Sequence, residues 1–128
     1  MEEKGGSNAR RIGALGERIA ADFLLGKGYE IAEKNFSERN GEIDIIAWHE
    51  KNYFGRTLCF VEVKYRSRDD GSAERSVGQK KQKNMLNSAR RFCLEHGIDS
   101  DTIPIQFEQI SIYGEGEERK IYHYEMFH

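Results

Sequence analysis

The chain has 128 residues, of which 38% are hydrophobic and 33% charged, and its formal net charge is −2. This length suits one domain with a modest core, and an aromatic content of 11% argues against disorder. No apolar run approaches the ~20 residues that a membrane span needs, and Met1–Arg11 is too polar for a secretory signal. We therefore expect a cytoplasmic protein with no membrane partner. Cys59 and Cys93 lie in apolar segments and are expected to be buried thiols.

The net charge conceals a strong polarity along the chain. Lys64–Arg91 contains nine basic residues against three acids, whereas Phe92–His128 contains eight acids against two bases. The basic segment can face a polyanion while the acidic end faces solvent. On charge alone, an ordinary basic helix surface explains the same pattern.

The first element is a helix. Gly5-Gly6-Ser7-Asn8 predicts that residues 1–9 form a flexible leader, so residues 10–128 would form the single domain. Apolar residues then recur at helical spacing from Ile12 and Leu15 to Leu24, and Gly26 ends the helix.

Strands and a second helix follow. Alternating apolar and polar residues predict strands over Tyr29–Phe36, Glu42–His49, Thr57–Arg66, Ile105–Tyr113 and Lys120–Phe127. Ser76 as N-cap and Gln79 as its capping-box partner begin the second helix, which Gly97 ends. The order α-β-β-β-α-β-β indicates one α/β domain, a mixed central sheet flanked by helices.

Charged residues interrupt two predicted strands whose other residues are mostly apolar, as in strands of a hydrophobic core. Glu62 and Lys64 alternate on one strand and project from the same face, and Asp44 interrupts the preceding strand. If these strands pair, the two carboxylates share a site and repel each other unless a cation neutralises them. Oxygen ligands suit Mg²⁺ (or Mn²⁺) better than zinc, and the lysine would then contact a phosphate or orient water.

An ordinary solvent-facing row is the alternative interpretation of these three residues. For an arbitrary alternating strand that alternative is favoured. Here Phe60 lies on the same strand face as Glu62, and Ile46 and Trp48 lie on the same face as Asp44. Acids placed among such large apolar side chains favour a functional site.

Each helix adds a candidate. Glu17 lies beside Ala20 and Leu24 at the margin of the apolar stripe of the first helix, a position more typical of an amphipathic boundary. In the second helix, Gln82 and Gln79 continue the buried face toward the N-terminus, where amides and lysines suit a phosphate backbone. Capping alone explains Gln79 equally well. The four histidines show no metal-ligand spacing with one another or with the cysteines.

Several motifs in combination resemble the YraN-like family. They are Gly13-Ala14-Leu15-Gly16-Glu17, Arg39-Asn40-Gly41-Glu42-Ile43-Asp44, Phe60-Val61-Glu62-Val63-Lys64-Tyr65-Arg66, Ser76-Val77 and Lys81-Gln82. The resemblance covers nearly the whole chain after the leader. It implies a restriction-endonuclease-like PD-(D/E)XK fold, similar to that of archaeal Holliday-junction resolvases.

The resemblance also assigns roles to positions. Asp44 matches the first acid of the nuclease signature, Glu62 and Lys64 match its Glu-x-Lys half, and Glu17 matches the helical acid that completes the metal site. Gln82 matches a glutamine that borders the site. The chain has Gln106-Phe107-Glu108 where the family commonly has Arg-Phe-Asp, which leaves the role of Glu108 open.

Two functional hypotheses result. The first is a Mg²⁺-dependent nuclease acting on DNA, including branched or structured DNA, with Glu17, Asp44 and Glu62 as metal ligands. Five basic residues would then position the nucleic-acid backbone, namely Arg66, Arg68, Lys80, Lys81 and Lys83. The second is a non-catalytic module that binds DNA or docks a protein in a repair, recombination or uptake assembly. The fold class also allows a homodimer.

Overall fold

A computed structural model of the chain describes residues 4–39, 41–66 and 78–127. The long helices and the strands follow in the predicted order. They are α1 (Lys4–Gly26), β1 (Glu30–Glu38), β2 (Gly41–Lys51), β3 (Gly55–Arg66), α2 (Gln79–Glu95), β4 (Ile105–Tyr113) and β5 (Lys120–Phe127). The predicted single α/β domain with a mixed sheet is confirmed.

The five strands form one sheet in the order β1-β2-β3-β4-β5. Neighbouring strands are antiparallel except β3 and β4, which are parallel. A parallel pair needs a long crossover connection, and α2 lies within the one that joins β3 to β4. This crossover places α2 against the sheet face opposite α1.

Each face of the sheet has its own apolar cluster. Ala20, Ala21 and Leu24 of α1 pack against one face together with Cys59 and Val61. The other face packs against α2 through Met85, Ala89, Phe92 and Cys93, with Leu58 and Phe60 from β3. The alternation of β3 is therefore as predicted, and both cysteines are buried free thiols.

The buried face of α1 differs from the predicted stripe. Ile12 and Leu15 are exposed, whereas the small residues Ala20 and Ala21 are buried. The helix begins at Lys4, inside the segment predicted as a leader. The division between residues 1–9 and 10–128 stays a prediction, since residues 1–3 lie outside the described part.

Two local predictions are wrong. Strict alternation over Glu42–His49 predicts Ile43 on the same face as Ile45, but Ile43 packs in the α2 cluster and Ile45 packs in the α1 cluster. Strict alternation is thus interrupted at Asp44, where β2 stops pairing with β3. The N-cap of α2 is Gly78, with no side-chain capping hydrogen bond, and not Ser76 as predicted, so Gln79 is the first residue of the helix and not its third. Ser76 lies outside the described residues.

No helix within residues 4–39, 41–66 and 78–127 is long and apolar enough to cross a membrane.

Candidate active site

Asp44 lies where β2 separates from β3. The pairing of the two strands ends at Ile45 and Val61, and one further step of the same register places Asp44 opposite Glu62. Instead of a backbone carbonyl, the Asp44 Oδ2 atom accepts the hydrogen bond from the backbone N–H of Val63 at 2.8 Å. The side chain of Asp44 therefore replaces one backbone hydrogen bond of the β2–β3 pair where the two strands separate. This hydrogen bond holds the Asp44 carboxylate against β3.

The charge environment of Asp44 is unusual. Burial, followed by the neighbouring charges of Glu62, Glu17 and Glu42, raises the pKa of Asp44 from 3.8 to about 7. The Val63 hydrogen bond acts in the opposite direction. Because electrostatic repulsion weakens with distance, the carboxylates of Glu62 and Glu17 each lie near that of Asp44.

Gly16 explains how α1 brings Glu17 to this place. A Cβ atom at Gly16 would lie 3.4 Å from the Cβ of Tyr65 and 3.8 Å from a methyl group of Val63. These are ordinary van der Waals distances, so α1 packs directly against the end of β3 at Gly16. Glu17 shares a helix face with Ala20 and Leu24, which are both fully buried. Glu17 itself is only partly buried, which is consistent with the predicted position at the margin of that face.

Glu62 is buried and bound by two lysines. Its Oε2 atom lies 3.5 Å from the Nζ of Lys64 and 2.8 Å from the Nζ of Lys81. The Glu62 side chain is only 6% exposed. A carboxylate so deeply buried needs compensation, and these two ammonium groups provide it.

Lys81 is the residue whose place the sequence did not indicate. It was predicted to contact a nucleic-acid backbone, with Gln82 at the site border. In the structure its Nζ atom contacts Glu62, and its contact with a nucleic acid stays a prediction. Among the described residues, Gln82 forms no side-chain hydrogen bond to the acids of the site, although it is half-buried. Helical periodicity could not separate these two adjacent positions, because both flank the buried row that contains Met85.

The other predicted backbone contacts are dispersed. Lys80 and Lys83 are exposed in the first turns of α2. Arg66 is half-buried at the end of β3, and its guanidinium donates to the backbone carbonyl of Tyr65 at 2.9 Å. Arg68 lies outside the described residues. The site thus has exposed cations on the helix that supplies Lys81.

The carboxylate oxygens of the site are suitable ligands for a divalent cation, but in the structure they are not close enough together to bind one ion. Within the described part of the chain, no three acidic, histidine or cysteine side chains are grouped closely enough to hold one ion. The oxygen-only set of Glu17, Asp44 and Glu62 is nevertheless what Mg²⁺ prefers. A cation there would relieve the repulsion that raises the pKa of Asp44. For a divalent cation to bind Glu62, the ammonium groups of Lys81 and Lys64 would have to move away from its carboxylate.

Comparison with known proteins identifies the relationship. The model described as "Uncharacterised protein family UPF0102" matches residues 16–112. The chain belongs to the UPF0102 family. The match begins one residue before Glu17 and ends within β4, so it includes all the acids and lysines of the site. The predicted membership of a YraN-like family is confirmed.

Relatives within UPF0102 agree with this assignment. A UPF0102 protein of Chlorobium limicola is 46% identical over 65% of this chain and 61% of the relative's length. One of Prosthecochloris aestuarii is 41% identical, covering 84% of this chain and 80% of the relative. One of Caldicellulosiruptor bescii is 40% identical, covering 86% and 88% respectively.

Proposed function

We propose that this UPF0102 protein is a metal-dependent nuclease that hydrolyses phosphodiester bonds in DNA, including branched or structured DNA. The observation that carries the proposal is the meeting of Asp44 and Glu62 where β2 leaves β3, with the charge of Glu17 close enough to raise the pKa of Asp44. Mutually repelling, partly buried carboxylates are costly for stability, which favours a functional reason for their arrangement.

The three carboxylates would hold Mg²⁺ or Mn²⁺. When bound, the ion would supply a Lewis acid that stabilises negative charge on the phosphate under attack. Asp44 is held in place by its bond to the Val63 N–H, and Glu62 by the surrounding core. Two of the proposed ligands would thus be held in place before an ion binds.

Lys64 and the exposed lysines of α2 would bind phosphate groups of the substrate. The Lys64 ammonium lies beside Glu62 and is 24% exposed, so it can reach a phosphate oxygen at the mouth of the site. Lys80 and Lys83 on α2 are exposed and would bind neighbouring phosphates without reading bases. Specificity would then come from the shape of the DNA and not from its sequence.

The test is a cleavage assay on labelled duplex, single-stranded and four-way-junction DNA with Mg²⁺ or Mn²⁺. We expect cleavage by the wild type and loss of it, by at least about a hundredfold, in Asp44→Asn and Glu62→Gln. The matched controls Asp22→Asn and Glu30→Gln alter exposed acids elsewhere and should cleave normally. No cleavage of any of the three substrates, or full activity in Asp44→Asn, would overturn the proposal.

A non-catalytic DNA-binding or docking module is the second candidate. The observation that favours it is the pairing of Glu62 with Lys64 and Lys81, which compensates the carboxylate without an ion. Calorimetric titration with Mg²⁺ separates the two functions. A nuclease must bind the ion with loss of affinity in Glu62→Gln, whereas a module would bind DNA equally well in that variant and without Mg²⁺.

A further inference from the structure

A second polar site lies on the sheet face opposite Glu62, beyond the end of α1. It is a cavity of about 420 Å³ whose lining includes Lys27, Tyr29, His49, Lys51, Glu108 and His123. This volume is in the range of small-molecule sites. The cavity shares none of these residues with the proposed metal site, so a ligand could bind there whether or not the protein is a nuclease.

Glu108 organises the cavity. Its side chain is 1% exposed, and four donors bind it. Tyr29 Oη and His123 Nε2 reach Oε1 at 2.9 and 2.7 Å, and Lys51 Nζ and Gln106 Nε2 reach Oε2 at 2.9 and 2.7 Å. Burial raises the pKa of Glu108, but the bonds from His123 and Lys51 outweigh it and lower the pKa to about 2.

The carboxylate is therefore ionised and its acceptor capacity is used by protein groups. Two oxygens with two donors each leave no lone pair to attract a cation into the cavity. Lys51 balances the charge of Glu108 at 2.9 Å. Glu108 thus serves to fix the direction of the groups around it.

Those groups present donors to the cavity. Lys51 spends two N–H bonds on Glu108 and Tyr29, which leaves a third ammonium proton. Because His123 donates to Glu108 through Nε2, its other nitrogen faces Lys27, whose Nζ lies 3.4 Å from Nδ1. Lys27 therefore retains two further donors. The carboxylate of Glu125 also lines the cavity, and because Glu125 and Lys27 are both exposed, water screens both charges.

We propose that this cavity binds a phosphate monoester. The spare N–H donors of two ammonium groups, Lys27 and Lys51, around a cavity whose central carboxylate is already saturated favour an oxyanion that accepts several hydrogen bonds over a cationic ligand. The phosphate has two chemical sources, a free phosphate or mononucleotide and the terminal phosphate of a nucleic-acid strand.

The experiment follows backbone amide NMR signals during titration with four probes: inorganic phosphate, a mononucleotide, and one short oligonucleotide carrying either a 5′-phosphate or a 5′-hydroxyl. We expect signals of Lys27, Lys51 and His123 to shift with phosphate-bearing probes. The Lys27→Gln variant should bind roughly tenfold more weakly. Lys27 is exposed, so this variant should fold, and Lys34→Gln on β1 is the matched control that should bind normally.

The outcomes distinguish the sources. Saturable binding of phosphate and mononucleotide supports a free ligand, and tighter binding of the 5′-phosphorylated oligonucleotide than of its 5′-hydroxyl counterpart supports a strand end. The proposal is overturned if no phosphate-bearing probe shifts these signals, or if Lys27→Gln binds as tightly as wild type.

Discussion

The Nζ atom of Lys81 lies 2.8 Å from the Oε2 atom of Glu62. The Nζ atom of Lys64, which is on the same strand as Glu62, lies 3.5 Å from that oxygen. The first lysine comes from α2 and the second from β3, so two elements supply positive charge to one buried carboxylate. Among the described residues, in contrast, Asp44 receives one hydrogen bond, from a backbone N–H, and has three acids as neighbours. Ion pairs therefore hold Glu62 and a backbone hydrogen bond holds Asp44, and a separate experiment can test each interaction.

Replacing Lys81 should strengthen metal binding at the proposed site. In Lys81→Gln the ammonium no longer competes with an ion for Glu62. We expect the Mg²⁺ dissociation constant from calorimetry to fall roughly two- to fivefold, as for a partly exposed ion pair. Lys83→Gln removes the same charge from an exposed position of α2 and should leave the constant unchanged. Weaker Mg²⁺ binding in Lys81→Gln would mean that Lys81 supports the ligands and does not compete with the ion.

Removing the charge of Asp44 should stabilise the protein at high pH. The pKa of Asp44 is raised to about 7 in the folded state, so its favourable contribution is complete below about pH 4 and is lost as the pH rises through 7. Asp44→Asn keeps an oxygen acceptor for Val63 but carries no charge. We expect its free energy of unfolding to exceed that of wild type by on the order of 2 kcal/mol at pH 8, with no excess near pH 4.

Urea unfolding in a chelator at several pH values measures this difference. Asp22→Asn, at an exposed acid of α1, is the control and should give the same small difference at every pH. If Asp44→Asn is less stable than wild type at pH 8, the carboxylate of Asp44 is stabilised by its surroundings, contrary to the electrostatic argument.

Glu108 should have the opposite pH dependence. Its pKa is lowered to about 2, so its contribution to stability is present above about pH 4.5 and is lost as the pH falls toward 2. Glu108→Gln leaves Lys51 without its counter-charge. We expect a loss of about 3 kcal/mol in the free energy of unfolding at pH 7, shrinking below pH 4.5. Glu117→Gln, at an exposed acid, should cost almost nothing, and an equal effect in both variants would contradict a special role for Glu108.

How far the sequence predicted the structure depends on the range of the interactions involved. Alternation in β3 placed Glu62 and Lys64 on one face correctly, because that strand is paired along its length. The same rule failed for Ile43, since the end of pairing at Asp44 depends on a neighbouring strand. The cluster around Glu108 was not predicted because its donors come from separated elements, with Tyr29 79 residues away in the chain. Local spacing of histidines carries no trace of such an arrangement.

Lys80 should contribute to DNA affinity without affecting specificity. It is exposed at the start of α2, where its charge can displace one counterion from a phosphate. In Lys80→Gln we expect the slope of log K against log salt concentration to decrease in magnitude by about 1 on duplex and junction DNA alike. Fluorescence anisotropy at several salt concentrations measures this slope, and Lys34→Gln on β1 controls for total charge. An equal decrease in both variants would indicate that the net charge of the protein, and not the α2 surface, governs binding. A decrease on only one DNA structure would show that Lys80 takes part in recognising shape.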